Sequence, residues 1–453
     1  MSAVLVLVMS SPAMATNGYF THGVGTESKG MAGTGVGSNA FDGSIIVASN
    51  PALGVFAGDN WELGMSLFSP RRSYKASSSL AQGQGGAFTI GEGSFDSGSE
   101  WFPIPYISKN WRLQNGNAVT FAFYGRGGMN TDWSDSGPFA ITDPDGALGP
   151  APVMSLPGAF GGGEAGVDLS QAFLAVNYAG KSGDNFAWGI GPVFAIQAFE
   201  AKGLVLFSGF TETYNESGFT VFPTDTLTDN GHEISTGLGA AIGFWWALSD
   251  SVSMGLSYQS KLSMSEFDDY SDLFAEDGGF DIPASTKLGL SFAGNGNTRV
   301  NFDIEHTQFS DVASVGNPMA NILGCPAVVF LFTGAPGGTP EACLGGDVGA
   351  GFGWEDMTTY KVGVEWQKDE STIWRFGFSY GEQPIPEADV LFNILAPGVM
   401  EQHLTFGMSK NNWNFSLMYA PSKTIEGLNM FDPTQTIELE MKQLEFEFSY
   451  AFK

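Results

Sequence analysis

Along most of this chain, apolar and polar residues alternate one by one. Val300, Phe302 and Ile304 stand against Asn301, Asp303 and Glu305. Trp374, Phe376, Phe378 and Tyr380 stand against Arg375, Gly377 and Ser379, and Trp413, Phe415, Leu417 and Tyr419 against Asn414 and Ser416. A period of two is the mark of a strand with one apolar face. Segments of this kind, bounded by turn residues, lie near 60–76, 98–112, 116–131, 166–180, 185–202, 231–248, 251–266, 281–294, 297–311, 356–368, 371–382, 398–410, 412–422 and 437–452.

The connections between these fourteen segments also alternate. Short turns carry Asn115-Gly116, Lys181 to Asp184, Ser249-Asp250, Gly294 to Gly296, Lys368 to Glu370 and Ser409 to Asn411. Long loops lie between them, the largest near 132–165, 203–230 and 312–355. An even strand number with short turns on one side and long loops on the other predicts an all-β fold, a fourteen-stranded antiparallel transmembrane β-barrel. No apolar run reaches the roughly 20 residues that a spanning helix needs. In the last strand Leu444, Phe446, Phe448, Tyr450 and Phe452 form a lipid face, and Gln443, Glu445, Glu447 and Ser449 a lumen face. The first connection is long, which puts the N-terminal side with the short, periplasmic turns.

The first sixty residues do not alternate. Residues 1–15 read as the end of a secretory signal, with apolar Val4 to Val8 and a small-residue cleavage pattern at Ala13-Met14-Ala15; the positive n-region is missing, as in a truncated start. Residues 16–59 are rich in glycine and short of apolar bulk, so burial among themselves would not offset the entropy of ordering them. They are expected to fold as an N-terminal hatch inside the barrel formed by residues 60–453.

Charge narrows the function. The net charge of −29 leaves no basic footprint for nucleic acid. The acidic loop residues Glu266, Asp268, Asp269, Asp272, Glu276 and Asp277 lack calcium-loop spacing and read as a solvated face, with weak divalent-ion association at a lipopolysaccharide surface as the alternative. The four histidines are scattered with no nucleophile in step, so no enzyme, cofactor or metal site is expected. Lys287, Arg299, Asp303, Glu305, Lys361, Glu365 and Arg375 alternate inward with mixed signs, which predicts cross-strand pairs rather than an ion filter.

Three further features separate the chain from a plain porin. Pro103 and Pro105 sit in the second strand without N–H groups to donate, and Gly125, Gly127 and Gly128 permit a kink in the third, which predicts a lipid-facing gap between them. Loops that should meet water carry Phe139, Leu156 and Phe160, then Leu204, Leu206, Phe207 and Phe210, as a binding groove would. Cys325 and Cys343 share one loop and are expected to form a disulfide in an oxidising envelope. The run Ala327 to Phe332 between them is too apolar for free solvent and should fold over the barrel mouth.

Asn17-Gly18-Tyr19-Phe20, the glycine-rich run through Gly37, and Asn50-Pro51-Ala52-Leu53 resemble the mature N-terminus of the FadL/TodX outer-membrane transporters of hydrophobic compounds. Trp101-Phe102-Pro103, Phe123-Tyr124-Gly125 and Trp374 to Gly377 with Pro384-Ile385-Pro386 add to the likeness. The resemblance implies capture in a loop groove, an apolar lumen site, a hatch in which Phe20, Asn50, Pro51 and Ala52 take part, and lateral release at a kink near Gly125. It implies a monomer in the outer membrane taking up long-chain fatty acids or other hydrophobic molecules passively. Basic groups for a carboxylate are sparse after the fifth strand, where Gln197, Glu200 and Lys202 lie, so alkanes or monoaromatics remain alternatives, as does a nonspecific diffusion porin.

Overall fold

A computed structural model describes residues 16–83, 87–134, 139–141, 154–294 and 296–452; the expected signal segment lies outside them. The barrel strands are β1 (Trp61–Ala76), β2 (Phe102–Arg112), β3 (Ala118–Asn130), β4 (Gly166–Lys181), β5 (Phe186–Lys202), β6 (Glu233–Ala247) and β7 (Val252–Gln259). They continue with β8 (Ser285–Ala293), β9 (Thr298–Thr307), β10 (Met357–Asp369), β11 (Thr372–Gly381), β12 (Gln402–Lys410), β13 (Trp413–Asn429) and β14 (Asp432–Phe452). Each is antiparallel to its neighbour in sequence, and β14 pairs with β1 from Ile437–Ala76 to Phe452–Trp61. The sheet therefore closes, as the sequence predicts.

The alternation explains which face each residue takes. Leu63, Leu67, Ile190, Phe302, Ile304, Phe376, Phe378, Phe446 and Phe448 point outward and are exposed, as lipid-facing side chains must be. Gln443, Glu445, Glu447 and Ser449 point inward and are buried. Trp61, Trp111, Trp188, Trp246, Trp366, Trp374 and Trp413 lie near the short-turn ends of their strands. This is the belt that marks a membrane–water interface, with the indole half in each phase.

Several predicted boundaries move. β2 begins at Phe102 rather than 98, β7 ends at Gln259 rather than 266, β8 begins at Ser285 rather than 281, and β12 begins at Gln402 rather than 398. The largest correction is between β13 and β14. Residues 423–436, read as a loop, are mostly strand, and only Met430 and Phe431 turn the chain. Above the membrane no lipid selects an apolar outer face, so Lys423, Glu426 and Gln435 break the pattern there. Pro421 and Pro433 interrupt it further, and the register slips between Ala420 and Lys423. The disulfide loop also differs from expectation. Cys325 and Cys343 are bonded and buried, but Ala327 to Phe332 lie in a helix, Pro326–Thr333, that buries Val328 and leaves Phe330, Leu331 and Phe332 exposed.

Residues 17–57 run through the barrel interior and are nearly all buried. Polar contacts to the inward strand faces hold them. Lys29 Nζ lies 2.6 Å from Glu445 and 2.5 Å from Glu447 on β14. The Gly35 and Val36 N–H groups donate to Asp303 of β9, Ala32 N–H donates to Thr405 of β12, and Trp245 of β6 donates to Gly37 O. Asn50 caps the short helix Pro51–Val55 by accepting from Ala52 N–H, and its Nδ2 donates to Val36 O and Phe244 O. The wall makes room for this backbone. A Cβ at Gly243 would sit 2.0 Å from Asn50 Oδ1, and one at Gly255 would sit 1.9 Å from Val36 O. The predicted inward charges also pair, with Glu305 beside Lys287 and Lys361, and Glu365 beside Arg375.

The Lys29 contacts generate a stability test. A Lys29→Met substitution leaves Glu445 and Glu447 as buried, uncompensated neighbours, a change that costs on the order of 3–5 kcal/mol. The variant is expected to unfold at a clearly lower temperature in detergent by circular dichroism, whereas Lys423→Met on the half-exposed outer pair with Glu401 is expected to change little.

Candidate functional site

The wall has one weak seam. β1 pairs with β2 up to Phe68–Phe102, yet β2 pairs with β3 only from Arg112–Ala118 to Tyr106–Tyr124. Beyond that point Phe102–Pro105 and Gly125–Asn130 no longer meet. Pro103 and Pro105 lack the donors a ladder needs. On β3 the register to β4 shifts between Gly125 and Gly127, with Arg126 as the extra residue. Arg126 turns inward, 4.5 Å over the Phe20 ring, and bonds to Gln259 and Ser285.

The N-terminal segment occupies the edge of β3 that β2 leaves free. Phe20 pairs with Gly127, and Gly128 N–H donates to Tyr19 O at 3.0 Å. A side chain at Gly127 would collide with Gln171 and crowd Phe20. Gly125, Gly127, Gly128, Phe20, Pro103 and Pro105 therefore come together at this seam. Asn50, Pro51 and Ala52 lie nearer the short-turn ends of β5 and β6, and Pro51 shares a small cavity with Tyr124 and Arg126, the neighbours of Gly125.

A small apolar cavity lies under the long loops. Phe160, Leu204 and Phe207, taken from the sequence, line it. Leu156, Leu206 and Phe210 are half-buried and pack around it rather than in it. Phe139 belongs to a short strand paired to Met154–Leu156, and its side chain lies outside the described residues. Most of the remaining lining escapes sequence reading: Val167, Phe199, Leu273, Phe274, Leu344, Phe352, Phe392 and Leu395 come from two strands and three further loops. Single apolar residues in separate loops carry no periodic signal, so nothing in the chain groups them.

Aromatic rings connect this cavity to the seam. Phe199 and Phe274 are 4.6 Å apart, Phe274 and Phe280 4.8 Å, Phe280 and Tyr19 6.2 Å, and Tyr19 and Phe20 4.6 Å, measured between ring centroids. Phe309 and Trp354 flank Tyr19 at 5.2 and 5.7 Å.

The entrance around this apolar site is acidic. Burial, followed by the neighbouring carboxylates of Glu216, Asp277, Asp347 and Glu341, pushes Glu212 up to about 7. A hydrogen bond to Asp168, 3.1 Å away, holds His232 above its usual value. Beside the seam, Asn130, Asp132, Glu164, Asp168, Glu200 and Lys202 line a separate polar cleft.

Residues 155–397, more than half of the chain, match a family model described as outer membrane protein transport protein (OMPP1/FadL/TodX). A search of curated protein sequences finds no match. Among solved structures, the toluene transporter TodX of P. putida superposes with a TM-score of 0.60 at 15% identity, covering 95% of this chain and 98% of that one. A Pseudomonas aeruginosa FadL homologue gives 0.59 at 14% identity, covering 96% and 99%. The Ralstonia pickettii toluene transporter TbuX gives 0.52 at 14%, covering 95% and 99%. At these identities the likeness is one of fold.

The cavity makes a quantitative demand on its walls. Phe160→Ala and Phe207→Ala each remove a buried ring from the lining, and each is expected to weaken binding of an uncharged fluorescent hydrophobe roughly tenfold. Titration of detergent-purified protein checks this; Phe330→Ala, on the exposed helix, is expected to leave affinity unchanged.

Proposed function

Because the chain belongs to the OMPP1/FadL/TodX family of outer-membrane transport proteins, we propose that it takes up hydrophobic molecules passively, long-chain fatty acids first among them. The observation that carries this reading is the aromatic path from the apolar cavity to the β2–β3 seam. A ligand leaves water by burying its chain in the loop cavity, where each CH₂ contributes about 0.8 kcal/mol. It then exchanges one apolar contact for another past Phe280 and Tyr19. At the seam the sheet has no ladder to break except the Tyr19–Gly128 and Phe20–Gly127 contacts of the N-terminal segment. Withdrawal of that segment, acting as a hatch, opens a route sideways into lipid.

A second reading, uptake of uncharged monoaromatic hydrocarbons, draws on the almost wholly apolar cavity lining and on the names of the solved toluene transporters. Apolar pockets distinguish poorly between ligands that differ by a methylene, so both readings share one mechanism of capture.

Two measurements test the proposal. In planar bilayers the protein is expected to show negligible single-channel conductance, and in solution it is expected to bind a fluorescent long-chain fatty acid saturably. Large steady conductance without binding would make it a diffusion porin. Separately, Gly125→Val at the bulge is expected to reduce uptake by reconstituted vesicles several-fold while the folded, heat-modifiable band persists. Undiminished uptake by an assembled variant would eliminate the lateral route.

A further inference from the structure

Among the described residues, five lysine and arginine side chains are almost wholly buried in the interior: Lys29, Arg72, Arg126, Lys361 and Arg375. Four are neutralised by the protein itself. Lys29 meets Glu445 and Glu447, Arg126 and Lys361 meet Glu305, and Arg375 meets Glu27 and Glu365. Arg72 differs. It is 5% exposed, its Nη1 has no hydrogen-bond partner among the described residues, and no described carboxylate lies within ion-pairing distance.

The place of this unmatched cation is specific. Arg72 lies on the inner face of β1, opposite Met441 of β14. It borders a small cavity with Gly18, Tyr19, Gly128, Asn130 and Met441. Tyr19 ends the aromatic path, and Gly128 and Asn130 belong to the unpaired stretch of β3. Arg72 thus stands where the apolar route reaches the seam.

Burying a guanidinium without a counter-charge is costly, so such a side chain is poised to take an anionic partner from outside the protein. Its planar fork of donors suits a carboxylate in a bidentate pair. We propose that Arg72 is the head-group-binding residue of the uptake path, receiving the carboxylate of an amphipathic ligand while the ligand's chain lies along Tyr19 and its aromatic neighbours. The assignment rests on the uptake reading above and sharpens it. The ligand is then an ionised amphiphile, and the uncharged hydrocarbon becomes the poorer substrate.

The test compares oleate with methyl oleate, which has the same chain and no charge, by displacement of an uncharged fluorescent hydrophobe from the folded full-length protein. A charge-assisted bidentate contact predicts that the wild type binds oleate roughly 10-fold or more tighter than methyl oleate. In Arg72→Met that preference is expected to vanish through loss of oleate affinity alone, with methyl oleate unchanged. Arg72→Lys, which keeps the charge without the fork, is expected to retain part of it and serves if the Met variant fails to assemble. Equal affinity of the wild type for the two ligands, or full oleate preference in Arg72→Met, would overturn the assignment to Arg72. Failure of the wild type to bind methyl oleate at all would instead count against hydrophobic uptake.

Discussion

In hydrocarbon a backbone amide has no water to turn to, so each N–H and C=O must find its partner within the protein. That demand closes the fourteen strands into a barrel and dictates the long, regular ladders between them. It also gives meaning to the stretch between β2 and β3 where the ladder stops. Past Tyr106 and Tyr124, neither β2 nor β3 serves the other. Two prolines reduce the number of donors left stranded on β2, and Tyr19 and Phe20 supply partners to β3 from inside. The N-terminal segment is therefore part of the hydrogen-bonding scheme of the wall as well as a filling of the interior.

Electrostatics follow from the same closure. With water largely excluded, most charges inside the barrel are matched locally, several of them between the wall and the N-terminal segment. Lys29 to β14, Glu27 to β11 and Asp303 to the Gly35 and Val36 amides tie one chain end to strands drawn from most of the circumference. The segment could not reach this arrangement before the barrel existed. Its glycines let the backbone approach the wall closely enough for main-chain groups to be used as partners.

The sequence made the barrel legible because lipid imposes a strict period of two. It made the seam legible because proline and glycine announce their backbone consequences at the residues concerned. Legibility failed where that selection ends. The upper halves of β13 and β14 stand in water, where polar residues such as Lys423 and Glu426 are as suitable as apolar ones. The cavity was legible only in part, since Phe160, Leu204 and Phe207 sit in loops dense with apolar residues, whereas Phe274, Leu344 and Phe392 become neighbours only when three further loops fold together. Phe309 and Trp354, which flank Tyr19, were hidden for the same reason. Arg72 was hidden differently: it looks like any inward charge until its neighbours are seen to be Met441, Tyr19 and glycine.

Glu305 has a mechanical consequence. It stands on β9 and holds Arg126 of β3 at 3.4 Å, while Lys287 and Lys361 brace it from the strands on either side. The two strands are six positions apart around a ring of fourteen and share no ladder. Their ion pair ties the inward bulge of β3 to the wall that faces it. Two stretches of wall far apart along the sheet are thereby coupled through the interior, so displacing one of them draws on the other.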